Sequence, residues 1–283
     1  MPWIRVRMLF VALLLAVSAP GCSSPEAAVP EPGSRKVQHI GVQLYTLREQ
    51  MEADFEGTLR RVAALGYKEV ETAGLFGRDP EDVRALLDEL GLSVPAAHVH
   101  SAAFIADPDA AIAQAAALGA EYVILAWLPP VERASLVQWE EWAAWMNDVG
   151  ARAKAAGLTF AYHNHAFEFE PIDGVVPYDI ILERTDADLV RFELDFYWAA
   201  LAGVDIPALV AAHPGRFVLS HVKDLEFDDQ SIANVGQGDL DFATLIAASE
   251  EAGMTYFIVE HDNPTDAFGS VEQGLRYLQD LSY

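Results

Sequence analysis

The chain has 283 residues, 52% hydrophobic and 22% charged, which suffices for one large core or two small ones and fits neither disorder nor a membrane bundle. A formal net charge of −25 repels phosphate backbones and anionic headgroups at long range, which removes nucleic acid from the expected partners. Lysine is scarce: Lys36, Lys68, Lys154 and Lys223 are the four among 18 basic residues, so a lysine beside candidate chemistry carries information.

Residues 1–22, MPWIRVRMLFVALLLAVSAPGC, run from Arg5 and Arg7 through an apolar stretch at 8–17 to small residues. This is the layout of an export signal, and the run is too short to cross a bilayer as a mature helix. Cys22, the single cysteine, stands where bacterial lipoproteins carry the lipidated residue, although the residues before it match a lipobox only loosely. The expectation is a cleaved leader and a lipid anchor at Cys22. That places the protein in the bacterial cell envelope, facing the periplasm or the outer surface and touching membrane through the anchor alone, with plain secretion as the alternative. The Pro- and Ser-rich stretch 23–37 reads as a flexible tether, and without a second cysteine disulfides play no part.

From residue 38 onward one unit recurs. A helical stretch ends in a small residue and a glycine, which can take the left-handed conformation that closes a helix, and a strand follows; the pivots are Gly66, Gly91, Gly119, Gly157 and Gly253. Asp79-Pro80 and Asp107-Pro108 place a capping side chain before a proline whose missing N–H costs nothing in a first helical turn. The pattern predicts eight strands, at 38–45, 67–72, 93–99, 121–127, 158–165, 190–196, 216–222 and 255–261, each followed by a helix-compatible segment. Such alternation implies a parallel sheet, and eight units over 38–283 fit an α/β fold of the (β/α)8 TIM-barrel type. A doubly wound sheet would be expected to carry a glycine-rich nucleotide turn after its first strand, and GVQLYTLRE has none. In the helix at 135–156, Leu136, Trp139, Ala143 and Met146 form a packing stripe, while Trp142 and Trp145 are assigned to a subunit contact in an oligomer.

In a barrel of this type chemistry sits at the carboxyl ends of the strands, where alternate residues point inward. Those ends carry Gln43 and Tyr45, Glu69 and Glu71, His98 and His100, His163 and His165, Glu193 and Asp195, His221 and Lys223, and Glu260 and Asp262. Burying several carboxylates together is costly unless a cation neutralises them, and imidazole with carboxylate oxygen suits a divalent metal: Mn, Co, Zn, Fe or Mg. Asp195, His221 and Glu260 are the expected ligands. The fourth is either His163, which has the correct parity, or Glu168, a carboxylate just beyond the strand.

The segments GVQLYTLRE (41–49), YHNHAFEF (162–169), LDFYWAALAG (194–203), HVKD (221–224), VGQGDLDF (235–242) and VEHD (259–262) together resemble the sugar phosphate isomerase/epimerase family of xylose isomerase-like TIM barrels, here as an exported lipoprotein member. The resemblance implies one divalent metal held by Glu, Asp, His and Glu from strands five to eight. Carried over, it marks Asp195, His221 and Glu260, and it exposes a departure, because His163 stands where the family has its strand-five Glu.

A metal with open positions acts as a Lewis acid on a hydroxyketone or hydroxyaldehyde and acidifies the neighbouring C–H. A base then gives an enediolate, whose reprotonation isomerises or epimerises the sugar and whose loss of a β-substituent eliminates. Glu260 and whichever of Glu168 or His163 is not committed to the metal form the expected proton-transfer pair. Lys223 stabilises oxyanion charge, and His98, His100 and His165 orient hydroxyls. Tyr45, Arg48 and Glu71 complete the expected substrate contacts. Each has a plainer reading: Lys223-Asp224 as a surface ion pair, Glu69 and Glu71 as rim charges, Arg48 as a helix-capping salt bridge, one of His98 and His100 as mere packing, Gly236 and Gly238 as a turn. Export favours an unphosphorylated sugar, keto-sugar or glycoside as the small-molecule partner. The rivals are a keto-glycoside lyase on the same site, a noncatalytic sugar-binding lipoprotein and a phosphodiesterase of the AP endonuclease kind, the last opposed by the charge.

Overall fold

In the computed structural model, which describes residues 33–283, the recurring unit closes on itself. The barrel strands are β1 (Ile40–Gln43), β2 (Glu69–Ala73), β3 (Ala96–Val99), β4 (Tyr122–Leu125), β5 (Thr159–His163), β6 (Val190–Asp195), β7 (Phe217–Val222) and β10 (Tyr256–Val259). Each is hydrogen-bonded in parallel to its neighbours in sequence order, and β1 joins β10 to complete the ring. Between β7 and β10 lies a small antiparallel ribbon of β8 (Asp224–Leu225) and β9 (Ile232–Ala233). The leader 1–22, Cys22 and most of the tether lie outside the described residues. Among the described residues no helix is long and apolar enough to cross a membrane.

The local signals act as the residue types dictate. Asp79 and Asp107 each cap a helix that begins with proline, accepting the N–H of Glu81 and Ala110. The five closing glycines all take positive φ, from 65° at Gly91 to 114° at Gly66. Several strands are shorter than expected at their carboxyl ends, β1 stopping at Gln43 and β5 at His163, because the chain leaves the ladder there to turn outward over the mouth.

Alternation divides the apolar residues into two cores. Outward residues such as Val42, Val70, Val123, Phe160, Phe192 and Phe257 pack against the surrounding helices in one large cluster. A second, smaller cluster of Ala96, Ile124, Ala161, Leu219, Tyr256 and Ile258 fills the lower barrel interior. Next along β3, β5, β7 and β10, two residues further on the same face, come His98, His163, His221 and Glu260. The register between β6 and β7 slips at Phe192/Glu193, so that Glu193 faces Leu219 and Asp195 faces His221.

Trp142 and Trp145 pack within the chain itself, so no subunit contact is needed to explain them. Trp142 is buried and its indole N–H donates to the Glu132 carbonyl, while Trp145 packs edge-on against Trp142, Phe104 and Phe160. The loop before β6 presses on the same helix, Leu136–Ala155: a Cβ at Gly150 would lie 2.5 Å from the Leu189 carbonyl oxygen. Gly150→Ala gains about 1 kcal/mol of helix propensity and meets an overpacking cost of about 1–3 kcal/mol. The expected result in urea unfolding is a less stable protein; a stabilised variant would show that this approach is slack.

Candidate active site

The interior above the apolar floor is a closed set of compensating charges. Glu71 on β2 and Glu193 on β6 are fully buried and are shared among His98 on β3, His163 on β5 and His221 on β7. Glu193 Oε2 accepts from His98 Nε2 at 2.7 Å and His163 Nδ1 at 3.0 Å and lies 3.2 Å from His221 Nε2. Glu71 Oε2 accepts from His221 Nε2 at 2.8 Å, and its Oε1 lies 2.8 Å from His98 Nε2. Burial alone would lower the His98 pKa, but Glu71 and Glu193 outweigh it and raise it to about 9. Burial likewise opposes the His221 proton, and Glu193, Glu260 and Glu71 hold that pKa well above the ordinary value. His163 goes the other way, lowered to about 3 by burial and by His221 despite its bond to Glu193. Glu71 and Glu193 thus favour protonation of His98 and His221, while His163 is neutral; a metal on His221 Nδ1 would take the place of the proton there. Because its Nδ1–H donates to Glu193, His163 Nε2 is left as a lone pair on the cavity side, 3.9 Å from Asp195 Oδ2.

One step nearer the mouth, Asp195 Oδ2, His221 Nδ1 and a Glu260 carboxylate oxygen converge, all within 4.8 Å of one another. Asp195 is aimed from both sides: its Oδ1 accepts the Trp198 N–H at the start of helix Phe196–Leu201, and its own N–H donates to Asn164 Oδ1. Neither Asp195 Oδ2 nor His221 Nδ1 has a well-directed hydrogen bond, although Lys223 Nζ lies 3.0 Å from the first and Glu260 Oε2 lies 2.8 Å from the second. Convergent donors of this kind, two oxygen and one nitrogen, suit a divalent cation. The residues present therefore fit a metal. Lys223 Nζ borders the same group, 2.7 Å from Glu260 Oε2, 3.0 Å from Asp195 Oδ2 and 2.8 Å from Asp262 Oδ1. Burial opposes its charge, and those three carboxylates outweigh it and hold its pKa well above the ordinary value. Burial pushes Asp195 up to about 6 against the pull of Lys223 and His221. At Glu260 the burial effect is overcome by Lys223 and His221, which keep its pKa well below the carboxylate range.

Both groups open into a cavity of about 800 Å³ whose lining includes Tyr45, His98, His100, His163, His165 and Lys223. The His98 and His100 alternatives both reach it, His98 buried in the charge layer and His100 exposed at the rim. His165 is held neutral by burial, with His163 and Lys223 adding to the effect. Its ring stacks on Phe167, and its buried Nδ1 has no partner.

Several expected placements are corrected. Glu168 does not join the cluster. It follows Tyr162, which points away from the barrel interior, and its carboxylate accepts the Tyr162 hydroxyl at 2.7 Å and the His165 N–H at 2.8 Å. It therefore shapes the turn that presents His165, leaving His163 as the strand-five candidate for metal or proton transfer. Arg48 is not in the cavity lining either: it donates to the Tyr45 and Asp262 carbonyls and to Asn263 Oδ1, and lies over the Tyr45 ring. Glu69 accepts from His39 Nδ1 at 2.6 Å at the opposite end of its strand from Ala73, away from the mouth. Lys223 and Asp224 are not a surface pair, since Asp224 is buried and accepts the N–H groups of Leu225, Gly236, Gly238 and Leu240. That carboxylate anchors the loop containing Gly236 and Gly238. Glu193 was assigned no role by sequence, although its spacing of two from Asp195 marks it as inward-facing; Asn164, the support of Asp195, gave no signal.

Residues 59–281 match the family described as xylose isomerase-like TIM barrels. The chain is 23% identical over 252 residues to an inosose dehydratase of Lacticaseibacillus casei, covering 74% of this chain and 82% of the relative. The structure of a sugar phosphate isomerase/epimerase from Parabacteroides distasonis ATCC 8503 superposes with a TM-score of 0.73 at 26% identity, covering 92% of this chain and 98% of that one. The IolI protein, solved with a zinc atom, shares the fold at a TM-score of 0.67 and 16% identity, over 84% of this chain and 96% of that one.

Burial lifts the Glu168 pKa from its ordinary value to about 8, against the Tyr162 and backbone hydrogen bonds that lower it. The folded state then holds this proton more tightly than the unfolded chain, so the contribution is complete below the ordinary carboxylate value and is lost as pH rises toward 8. Relative to Glu168→Gln, wild type should lose roughly 1 kcal/mol per pH unit between about pH 5 and 8, read by urea unfolding. Parallel curves for the two proteins would mean that Glu168 is ionised throughout.

Proposed function

The chain belongs to the xylose isomerase-like TIM barrel family, and on that premise we propose that it is a divalent-metal-dependent isomerase or epimerase of a sugar or keto-sugar, working through proton abstraction beside a carbonyl and an enediolate. The family is one of carbohydrate-processing enzymes. The observation that carries the reading is the convergence of Asp195 Oδ2, His221 Nδ1 and Glu260 beside a cavity that His221, Glu260 and Lys223 line.

Asp195, His221 and Glu260 would hold the ion, and a three-residue set leaves positions for substrate oxygens. Bound there, a metal supplies Lewis-acid polarisation of a carbonyl; Mn, Co, Zn, Fe and Mg all suit these donors. His163 is the base on the β5 side, its tautomer set by Glu193 so that Nε2 takes a proton from the substrate. Glu260, kept ionised by Lys223 and His221, would stay with the ion, so the proton returns to the enediolate from His163, and the Lys223 ammonium lies close enough to Glu260 to face the oxygen that gathers charge. His165 Nδ1 is free to accept a substrate hydroxyl.

A dehydratase reading has two supports. His98, raised to about 9 and lining the cavity, carries the proton a departing hydroxyl needs, and the Lacticaseibacillus casei relative is an inosose dehydratase. Both readings begin with the same proton abstraction.

For location, we propose export and anchoring at Cys22 on the strength of the leader sequence. Labelled palmitate fed to expressing bacteria should enter the wild-type protein and not Cys22→Ala; equal labelling of both would end that proposal. For the chemistry, the Mn-loaded protein is incubated with free and 3-keto sugars in deuterated water and followed by proton NMR. Label should appear next to a carbonyl, with new vinylic signals if dehydration follows. Asp195→Ala and His221→Ala should lose both bound metal and label, whereas Glu168→Gln should keep the metal. Full metal occupancy in either alanine variant overturns the ligand assignment, and sugar binding without exchange marks a receptor.

A further inference from the structure

The cavity has two unlike walls. One is the polar wall of His163, His165, His221 and Glu260. The other comes from the end of β3, the helix Ser101–Ala106 that follows it and the loop after β4, where Val99, Ala102, Ile105, Ala106, Trp127 and Pro129 line the space. This second wall has no role in the proton chemistry. Trp127 leaves 40% of its surface in water, and Tyr45, also in the lining, leaves 43%. Large apolar side chains exposed together at the rim of a reactive cavity mark a surface that a ligand covers.

Size and charge narrow the ligand. At about half a water's liquid volume per heavy atom, a hexose needs roughly 200 Å³, against about 800 Å³ available. A lone sugar ring seated on the metal ligands would leave most of the space, including the apolar wall, empty. Apart from histidines, Lys223 is the one basic residue among the lining residues described, and its ammonium is already surrounded by Asp195, Glu260 and Asp262. Arg48 is engaged by Tyr45, Asp262 and Asn263, and Arg133, next to lining residue Glu132, donates to the Leu128 carbonyl and lies over Phe167. Glu132 and Asp262 add negative charge to the lining. An arriving phosphate would meet carboxylates and no unengaged lysine or arginine.

We propose that the substrate is an uncharged keto-glycoside whose apolar, ring-shaped aglycone stacks on Trp127 beside Ile105 and Pro129, with its keto-sugar against the metal-ligating wall. This rests on the sugar reading above and names the other half of the molecule. It also separates this chain from relatives named for sugar phosphates, since the site offers an aromatic platform where a phosphate would need a cation.

The test measures affinities of the Mn-loaded full chain by titration calorimetry for matched methyl and 4-nitrophenyl β-glycosides of glucose, galactose and xylose, and for glucose 6-phosphate. At least one nitrophenyl glycoside should bind about tenfold more tightly than its methyl partner, and glucose 6-phosphate no more tightly than glucose. Trp127→Ala should remove most of that preference and leave the methyl glycoside unchanged, while Trp127→Phe, which keeps a ring, should retain it. Equal affinities within every pair, binding of none, tightest binding of the phosphate, or equal weakening of both glycosides by Trp127→Ala each overturns the proposal. The deuterium experiment stands apart. Aglycone preference without exchange sinks the isomerase and keeps the subsite, and exchange without preference does the reverse.

Discussion

The constraint on which this molecule turns is charge compensation among carboxylates buried inside the barrel. Glu71, Glu193, Asp195 and Glu260 are buried within a few ångströms of one another, and unpaired ionised carboxylates in such a place would cost several kcal/mol each. His98 and His221 compensate the deeper pair, and Lys223 sits between the outer pair and Asp262. Breaking one contact leaves a charge exposed to the low dielectric of the interior, so the residues act as a network and not as a sum of pairs. Asp195 and His221 meet Glu260 where a metal ion fits, with Lys223 beside them.

The fold makes that network affordable by stratifying the barrel. A floor of Ala96, Ile124, Ala161, Leu219 and Ile258 keeps the lower interior apolar, and the polar residues begin only one inward position higher. The slipped register between β6 and β7 sets Asp195 opposite His221. The same strands that build a dry core thus present a charged face two residues later, with no change of backbone direction.

Other polar residues hold the mouth in shape without touching the cavity. Asp224 gathers four backbone N–H groups of the loop after β7, Arg48 ties the first turn to the loop after β10, and Glu168 fixes the turn after β5. Acidic residues a few positions apart in sequence therefore divide into chemistry and scaffolding. Asp195 turns one oxygen toward Lys223 and His221, and Asp224 ends with both oxygens bonded to backbone. Fixed loops let the apolar wall around Trp127 face the reactive wall across a preformed space.

The sequence by itself determined the barrel and its inward face. Helix-closing glycines, Asp-Pro caps and short apolar strands are local signals, and two-residue alternation places Glu71, His98, His163, Asp195, His221, Lys223 and Glu260 on one side of their strands without reference to any partner. It could not choose between His163 and Glu168, give Glu193 its place beneath three imidazoles, or see that Trp142 and Trp145 belong to the chain's own core. Each of those depends on where a side chain goes after the strand ends, or on contacts between residues far apart in the chain, such as His98 with Glu193 and Trp145 with Phe104. Periodicity fixes the face of a strand; only closure of the ring brings the faces of different strands together and decides which carboxylate finds a cation and which a backbone amide.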